Sequence, residues 1–218
     1  IERFMDGSVF FIEFNHREGR PTDNLNLRKA MQYANDSAEL VYKVTKLPGY
    51  LPGVSLFPVW LTGVNGYFRE EYPAPVATPD LKKARQYLER AKRELGVTDI
   101  PPLVLLTGDN PISNIQSEYY QEVFRKSLGL EIKIDKQIFK QRLAKMLSGD
   151  FDMVLAGWGP DYDDPLTFGD LLASWNLNNR GRYNNPTLDK WVRVAQTSQD
   201  PKTRMDAFGE IQQIIFDD

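Results

Sequence analysis

Three features of the sequence predict an α/β fold with a largely parallel sheet flanked by helices. From Leu103 onward, short apolar runs alternate with helix-periodic stretches in the order strand, helix, strand, helix, strand. The periodic stretches end at glycines, Gly96, Gly129 and Gly149, as helices do when the last residue turns left-handed. The apolar runs are bounded by turn residues and too short for membrane spans. Parallel neighbours joined through helices imply right-handed crossovers.

Taken in order, Ser8 to Asn15 (SVFFIEFN) is aromatic and β-branched and reads as a strand. After a loop around Gly19 and Pro21, Asn26 to Ala34 reads as a short helix with Leu27, Ala30 and Met31 on one side. Asp36 and Glu39 have capping-box spacing, starting a second helix to about Thr45. Leu47 to Thr78 is too rich in proline for a long regular element, but Phe57, Trp60, Tyr67, Phe68 and Tyr72 predict that it packs over a core. Asp80 caps a helix whose stripe is Leu81, Ala84, Leu88, Ala91 and Leu95. Leu103 to Thr107 is a strand, and Ile115 to Leu128 a helix turning Tyr120, Val123 or Phe124, and Ser127 inward. Leu130, Ile132 and Ile134 alternate with charged residues as in a half-buried strand. Phe139, Leu143 and Met146 or Leu147 form the next helix stripe. A buried strand starts at Phe151. Leu166 to Ala173 reads as helical and Asn176 to Asn185 as a polar loop. Pro186 starts a helix with Leu188, Trp191 and Ala195, and Asp200-Pro201 another with Met205, Phe208, Ile211 and Ile215.

The bulk numbers bound the function. With 218 residues, 41% apolar and 26% charged, the chain has room for one large domain or two small ones. A net charge of −3 supplies no basic field for nucleic acid. Without cysteine there are no disulfides or thiolate metal sites, and the redox compartment stays undetermined. The one histidine, His16, gives little support to a Ser-His-Asp triad or a multi-His metal site, and its polar surroundings place it on the surface. The opening IERFMDGS lacks the pattern of a signal peptide. The abrupt start, and an end within the helical run Ile214-Ile215-Phe216, read as a fragment of a longer chain.

The chemistry concentrates in Phe151 to Pro165, FDMVLAGWGPDYDDP. The apolar run Met153-Val154-Leu155-Ala156 breaks at Gly157, after which Gly159, Pro160 and Pro165 force irregular backbone. Between the breakers stand Trp158, Tyr162 and three carboxylates, Asp161, Asp163 and Asp164. α/β proteins place ligands where a buried strand opens into a loop. The acids suit a cationic group, and the aromatics offer flat apolar walls.

These motifs, in this order, resemble the substrate-binding proteins of peptide ABC transporters, the oligopeptide- and dipeptide-binding type (extracellular solute-binding protein family 5). The resemblance is carried by Leu27 to Met31 with Ala34-Asn35-Asp36, by Asp80, Ala84 and Leu88, and by Leu128 to Ile132. It is carried furthest by Phe151-Asp152, Gly157-Trp158, Asp161-Tyr162 and Pro165, followed by Arg182 to Pro186 and Asp189. It spans Ser8 to Asp218. It implies a periplasmic-binding-protein-like lobe, with residues 1–218 a single C-terminal-side lobe of a protein whose two lobes close over a ligand and present a surface to the permease. It also implies that Gly157, Trp158 and Gly159 lend backbone groups to an extended peptide, as in strand addition, and that Asp161 receives the peptide's ammonium. Leu155 carries no charge, so an anchor for the peptide's carboxylate must come from elsewhere or through water.

The residues themselves leave alternatives open. Trp158 suits a ligand wall or a core aromatic, Tyr162 packing or contact, and Asp161 an anchor or a bond to its own loop. Asp163-Asp164-Pro165 reads as a solvated turn and cap, and Asn176 to Arg182 as a solvated loop. A Ca²⁺ site from Asp161, Asp163, Asp164 and Asp170 lacks the glycine and terminal glutamate of the EF-hand. Paired carboxylates also serve glycosidases. The expectation adopted is a non-enzymatic peptide-binding component of an ABC transporter, with ligand-binding residues Gly157, Trp158, Gly159, Asp161 and Tyr162. It has no catalytic residue, metal or cofactor. Its partners are a small peptide and the permease, and it meets the membrane only through the transporter or an anchor outside these residues. Its location is periplasmic or otherwise extracytoplasmic. A saccharide or metal chelate is the nearest competing ligand, and a carboxylate- or metal-dependent hydrolase the competing class.

Overall fold

A computed structural model of the chain describes residues 7–218. The opening IERFMD, to which the signal-peptide expectation applies, lies outside them. The elements in order are β1 (Val9–Phe14), α1 (Leu25–Ala34), α2 (Ser37–Glu39), α3 (Phe68–Glu71), α4 (Leu81–Leu95), β2 (Leu103–Gly108), α5 (Pro111–Leu128), β3 (Ile132–Gln137), α6 (Phe139–Ser148), β4 (Met153–Trp158), α7 (Leu166–Gly169), α8 (Pro186–Thr197) and α9 (Pro201–Asp217). The sheet order is β1-β4-β2-β3. β2 runs parallel to β3 along its length, Leu103 opposite Ile132, and parallel to β4, Leu105 opposite Met153.

Most helix starts follow the capping chemistry. Asp36, Asp80, Asn110, Asn185 and Asp200 each accept a backbone N–H of their own first turn. α4, α5 and α6 end at Gly96, Gly129 and Gly149 with φ of 68°, 69° and 78°. Two helices in this half of the chain differ from expectation. α5 begins at Pro111 rather than Ile115, because Asn110-Pro111 supplies both cap and first residue. The helix started by Asp36 leaves α geometry at Leu40, and Leu40–Thr45 winds as a π-helix ended by Lys46 at φ 52°.

The chain divides into two compact units. The first comprises Ile12–Pro52 and Ala77–Ala156. On one face of its strands, Leu103, Leu105 and Met153 pack with Leu27, Ala30, Met31, Ala84, Leu88 and Phe124 from α1, α4 and α5. The alternate residues Leu106 and Val154 turn to the other face with Phe151 and Met146. Three details depart from the sequence reading. Phe139 and Leu147 are 71% and 56% exposed, so α6 is anchored by Met146 rather than by the full stripe. On α5 the buried positions are Ser117, Phe124 and Leu128, not Ser127. His16 is not a surface residue: its side chain is 14% exposed and its Nδ1 lies 3.5 Å from Asp23 Oδ1.

Asp152 ties this unit together. It is 5% exposed. Its Oδ2 accepts the Val104 N–H at 2.7 Å and its Oδ1 lies 3.2 Å from the Arg20 guanidinium. Its carbonyl accepts both the Asn15 N–H and the Thr22 hydroxyl.

Among the described residues, the second unit comprises residues 7–11, Gly53–Val76 and Gly157–Asp218. Its core is aromatic, with Phe57, Phe68, Phe168 and Phe208 buried beside Leu188, Met205 and Ile211. The proline-rich segment is therefore packed as expected, although Tyr67 is 53% exposed. The loop before α3 closes on Glu71, whose carboxylate accepts the N–H groups of Val64, Asn65 and Gly66 at 2.8, 2.6 and 2.7 Å. Only Leu166–Gly169 of the expected 166–173 helix forms. The segment Asn176 to Arg182 is not simply solvated: Asn179 is 3% exposed and bonds the carbonyls of Leu172, Ala173 and Tyr183.

Replacing Asp152 with Ala leaves the Val104 N–H without a partner and the Arg20 charge uncompensated. We expect a loss of about 3 kcal/mol of unfolding free energy, read as a lower urea midpoint at unchanged slope.

Candidate functional site

β4 delivers the candidate residues. Phe151 to Leu155 are buried, and its ladder with β2 ends at Val154. The strand nevertheless runs on to Trp158. Gly157 and Gly159 are exposed, and Trp158 is half-buried against the aromatic core.

Both glycines are closely approached by a neighbouring side chain, Gly157 more tightly than Gly159. A Cβ on Gly157 would sit 2.8 and 2.9 Å from Cδ1 and Cε1 of Phe10, and one on Gly159 would sit 3.3 Å from Ser8 Oγ. The space a side chain would fill at each position is taken by a residue of the first strand region.

Beyond Trp158 the loop is pinned by two anchors, the first of which the sequence reading did not single out. The buried Thr167 hydroxyl accepts the Trp158 indole N–H at 3.3 Å and the Asp161 backbone N–H at 3.1 Å. Asp164 is the second. Its carboxylate accepts the Leu166 N–H at 2.9 Å and takes a two-pronged ion pair from Arg204, at 2.8 and 3.0 Å. Arg204 is itself fixed by Nε donating to the Ala195 carbonyl at 3.0 Å. Asp164 thus caps the Leu166 N–H, as the expected turn and cap implies, but its charge is held by Arg204 rather than simply solvated.

Asp161 is left in a different state. It is exposed, and among the described residues its carboxylate makes no hydrogen bond or ion pair. Asp170, half-buried, accepts the Asn176 side-chain amide at 3.1 Å. Burial first, and the Asp161 charge second, push the Asp170 carboxyl above the usual range. Tyr162 is 48% exposed. Burial raises its hydroxyl pKa, helped by the charges of Asp170, Asp164 and Asp161, so it stays a neutral donor and acceptor. The loop therefore presents one unpaired carboxylate, reinforced by a second acid, beside a neutral phenol and exposed strand backbone. Chemically this suits a hydrogen-bonding cation attached to an extended chain. Among the described residues no three His, Cys, Asp or Glu side chains are grouped to hold a metal ion.

Thr167→Val, nearly isosteric, removes the acceptor of both the Trp158 and Asp161 N–H groups. It is expected to cost about 1–3 kcal/mol in chemical denaturation. Asp170 supplies a pH test. Its folded pKa is raised, so its ionised form is the one the fold disfavours, and its contribution weakens as pH rises through that titration. Asp170→Asn is expected to raise the thermal midpoint at neutral pH and to flatten this part of the acid-side pH profile.

The chain as a whole is similar to known proteins. The chain is 28% identical over 218 residues to the oligopeptide-binding protein OppA of Bacillus subtilis, covering 96% of this chain and 38% of that protein. It is 31% identical over 184 residues to a dipeptide-binding protein of Lactococcus lactis, covering 81% of this chain and 32% of the relative. In three dimensions it matches a crystal structure described as a peptide ABC transporter peptide-binding protein, with a TM-score of 0.89 and 34% identity, covering 96% of this chain and 95% of that one. It also matches Listeria monocytogenes OppA bound to peptide, with a TM-score of 0.86 and 29% identity, covering 96% and 41% of the two chains. The chain thus spans about two fifths of the curated oligopeptide-binding relative's length. The family profile described as the middle part of the bacterial extracellular solute-binding proteins, family 5, matches residues 2–179. With most of its length matched by that profile, this chain belongs to the family 5 bacterial extracellular solute-binding proteins.

Proposed function

We propose that these residues form the C-terminal-side lobe of a non-catalytic peptide-binding component of an ABC transporter. The carrying observation is Asp161: an exposed carboxylate with no protein partner among the described residues, on a loop fastened by Thr167 and Arg204. In this reading Asp161 neutralises the ligand's α-ammonium. The backbone of Gly157, Trp158 and Gly159 pairs with the extended peptide, and Tyr162 adds a hydroxyl. Backbone pairing ignores side-chain identity, which suits a carrier of many sequences. Leu155 contributes no charge for the far end of the ligand.

The similarity to oligopeptide- and dipeptide-binding proteins supports the ligand class. The family's extracellular description supports a periplasmic or otherwise extracytoplasmic location. Permease subunits are the partner that follows from this reading. Among the described residues no helix is long and apolar enough to cross a membrane, so membrane contact is assigned to that partner or to an anchor outside these residues.

A bound ammonium that loses its counter-charge leaves one half of a desolvated pair uncompensated. Asp161→Asn in the complete protein is expected to weaken peptide affinity by about two to three orders of magnitude in calorimetric titration. N-acetylated peptide should lose about as much against the unaltered protein. Unchanged affinity in both experiments sinks the assignment. Mass spectrometry of the ligand that co-purifies should recover intact peptide rather than a saccharide.

A further inference from the structure

We propose that the exposed ring of Phe10, seated on Gly157, is a specificity-determining wall that selects peptides carrying a large apolar side chain on the residue alongside Gly157. This rests on the reading of Gly157 to Asp161 as the peptide-binding segment.

Phe10 lies on β1 and is 52% exposed, whereas its neighbour Val9 packs into the aromatic core of the same unit. Its ring atoms Cδ1 and Cε1 occupy the place of a Gly157 side chain, 2.8 and 2.9 Å from where that Cβ would stand. The ring therefore does the work a residue-157 side chain would do, but from the neighbouring strand region. Ser8 takes the corresponding place at Gly159, with its hydroxyl 3.3 Å from the Cβ position there. An aromatic face beside one glycine and a small hydroxyl beside the other make the two positions chemically unequal.

Strand pairing adds direction. Successive residues of β4 face opposite sides, so Gly157 with its Phe10 ring and Trp158 with its indole mark opposite sides of the strand. Side chains of a ligand paired to this backbone alternate in the same way. One ligand residue meets Phe10, and the next meets the Trp158 side. Main-chain pairing cannot discriminate between side chains, so selectivity falls to these walls.

The test is calorimetry on the complete protein with peptides of one length, each carrying Phe or Leu in place of Ala at a single position near the N-terminus. The unaltered protein is expected to prefer the large apolar residue at the position that meets Phe10. In Phe10→Ala that preference falls by about tenfold, and the all-Ala peptide loses less affinity than the peptide carrying the large apolar residue. Phe10→Leu retains part of the preference, and it decides the matter if Phe10→Ala does not unfold cooperatively. An unaltered preference in Phe10→Leu, or an equal loss for every peptide, overturns the inference. Affinity left intact by both N-acetylation of the peptide and Asp161→Asn refutes the ammonium reading instead, and the inference falls with it. That outcome is separate from any result with the Phe10 variants.

Discussion

The fold depends on a buried aspartate that acts as a piece of strand. Asp152 is nearly inaccessible, and it meets the Val104 N–H through its side chain while its own backbone bonds Val104, Asn15 and Thr22. Such a carboxylate is stable only because each oxygen and the charge have partners. It fixes where β4 begins. Because side chains alternate with a period of two, a slip of one residue would exchange Met153 and Leu155 for Val154 and Ala156 on the packed face. The same slip would bring the bulk of Trp158 to the place where the Phe10 ring now rests.

The acids of the loop show how burial and partners assign different roles to one residue type. Asp164 spends its charge on Arg204 and its geometry on the Leu166 N–H, which makes it structural. Asp170 is half-buried, held by Asn176 and disfavoured as an ion. Asp161 receives a single constraint, on its backbone, and none on its carboxylate. A chain that pins the main chain of a residue and leaves its solvated charged end without a protein partner keeps that carboxylate open to a cation from outside.

Much of this was legible in the sequence because local chemistry controls it. The alternation of apolar runs with periodic stretches gave the parallel sheet, and the Asp, Asn and Gly punctuation gave most helix boundaries. The start of α5 carries the same Asn-Pro signal as α8, so the boundary at position 110 is encoded locally. Other features are not local. Thr167 meets Trp158 and Asp161 across nine and six residues of irregular backbone, and Arg204 reaches Asp164 across a separation of 40 residues. No spacing rule encodes such pairs. The exposure of Phe139 and Leu147 was hidden for the opposite reason: the stripe has helical period, but Leu106, Phe151 and Val154 gather only Met146 from it. Gly157 could be recognised as a breaker, whereas its need to admit an aromatic ring required the neighbouring strand.

Glu71 has a consequence for surroundings the protein does not control. Three N–H donors from Val64, Asn65 and Gly66 hold its carboxyl below the usual range. A depressed carboxyl contributes its stabilisation above the ordinary glutamate pKa and forfeits it only as pH falls through the lower, folded value. Souring of the medium through the range where free glutamates take up protons therefore leaves this clasp fastened, and the loop before α3 keeps its shape in mild acid.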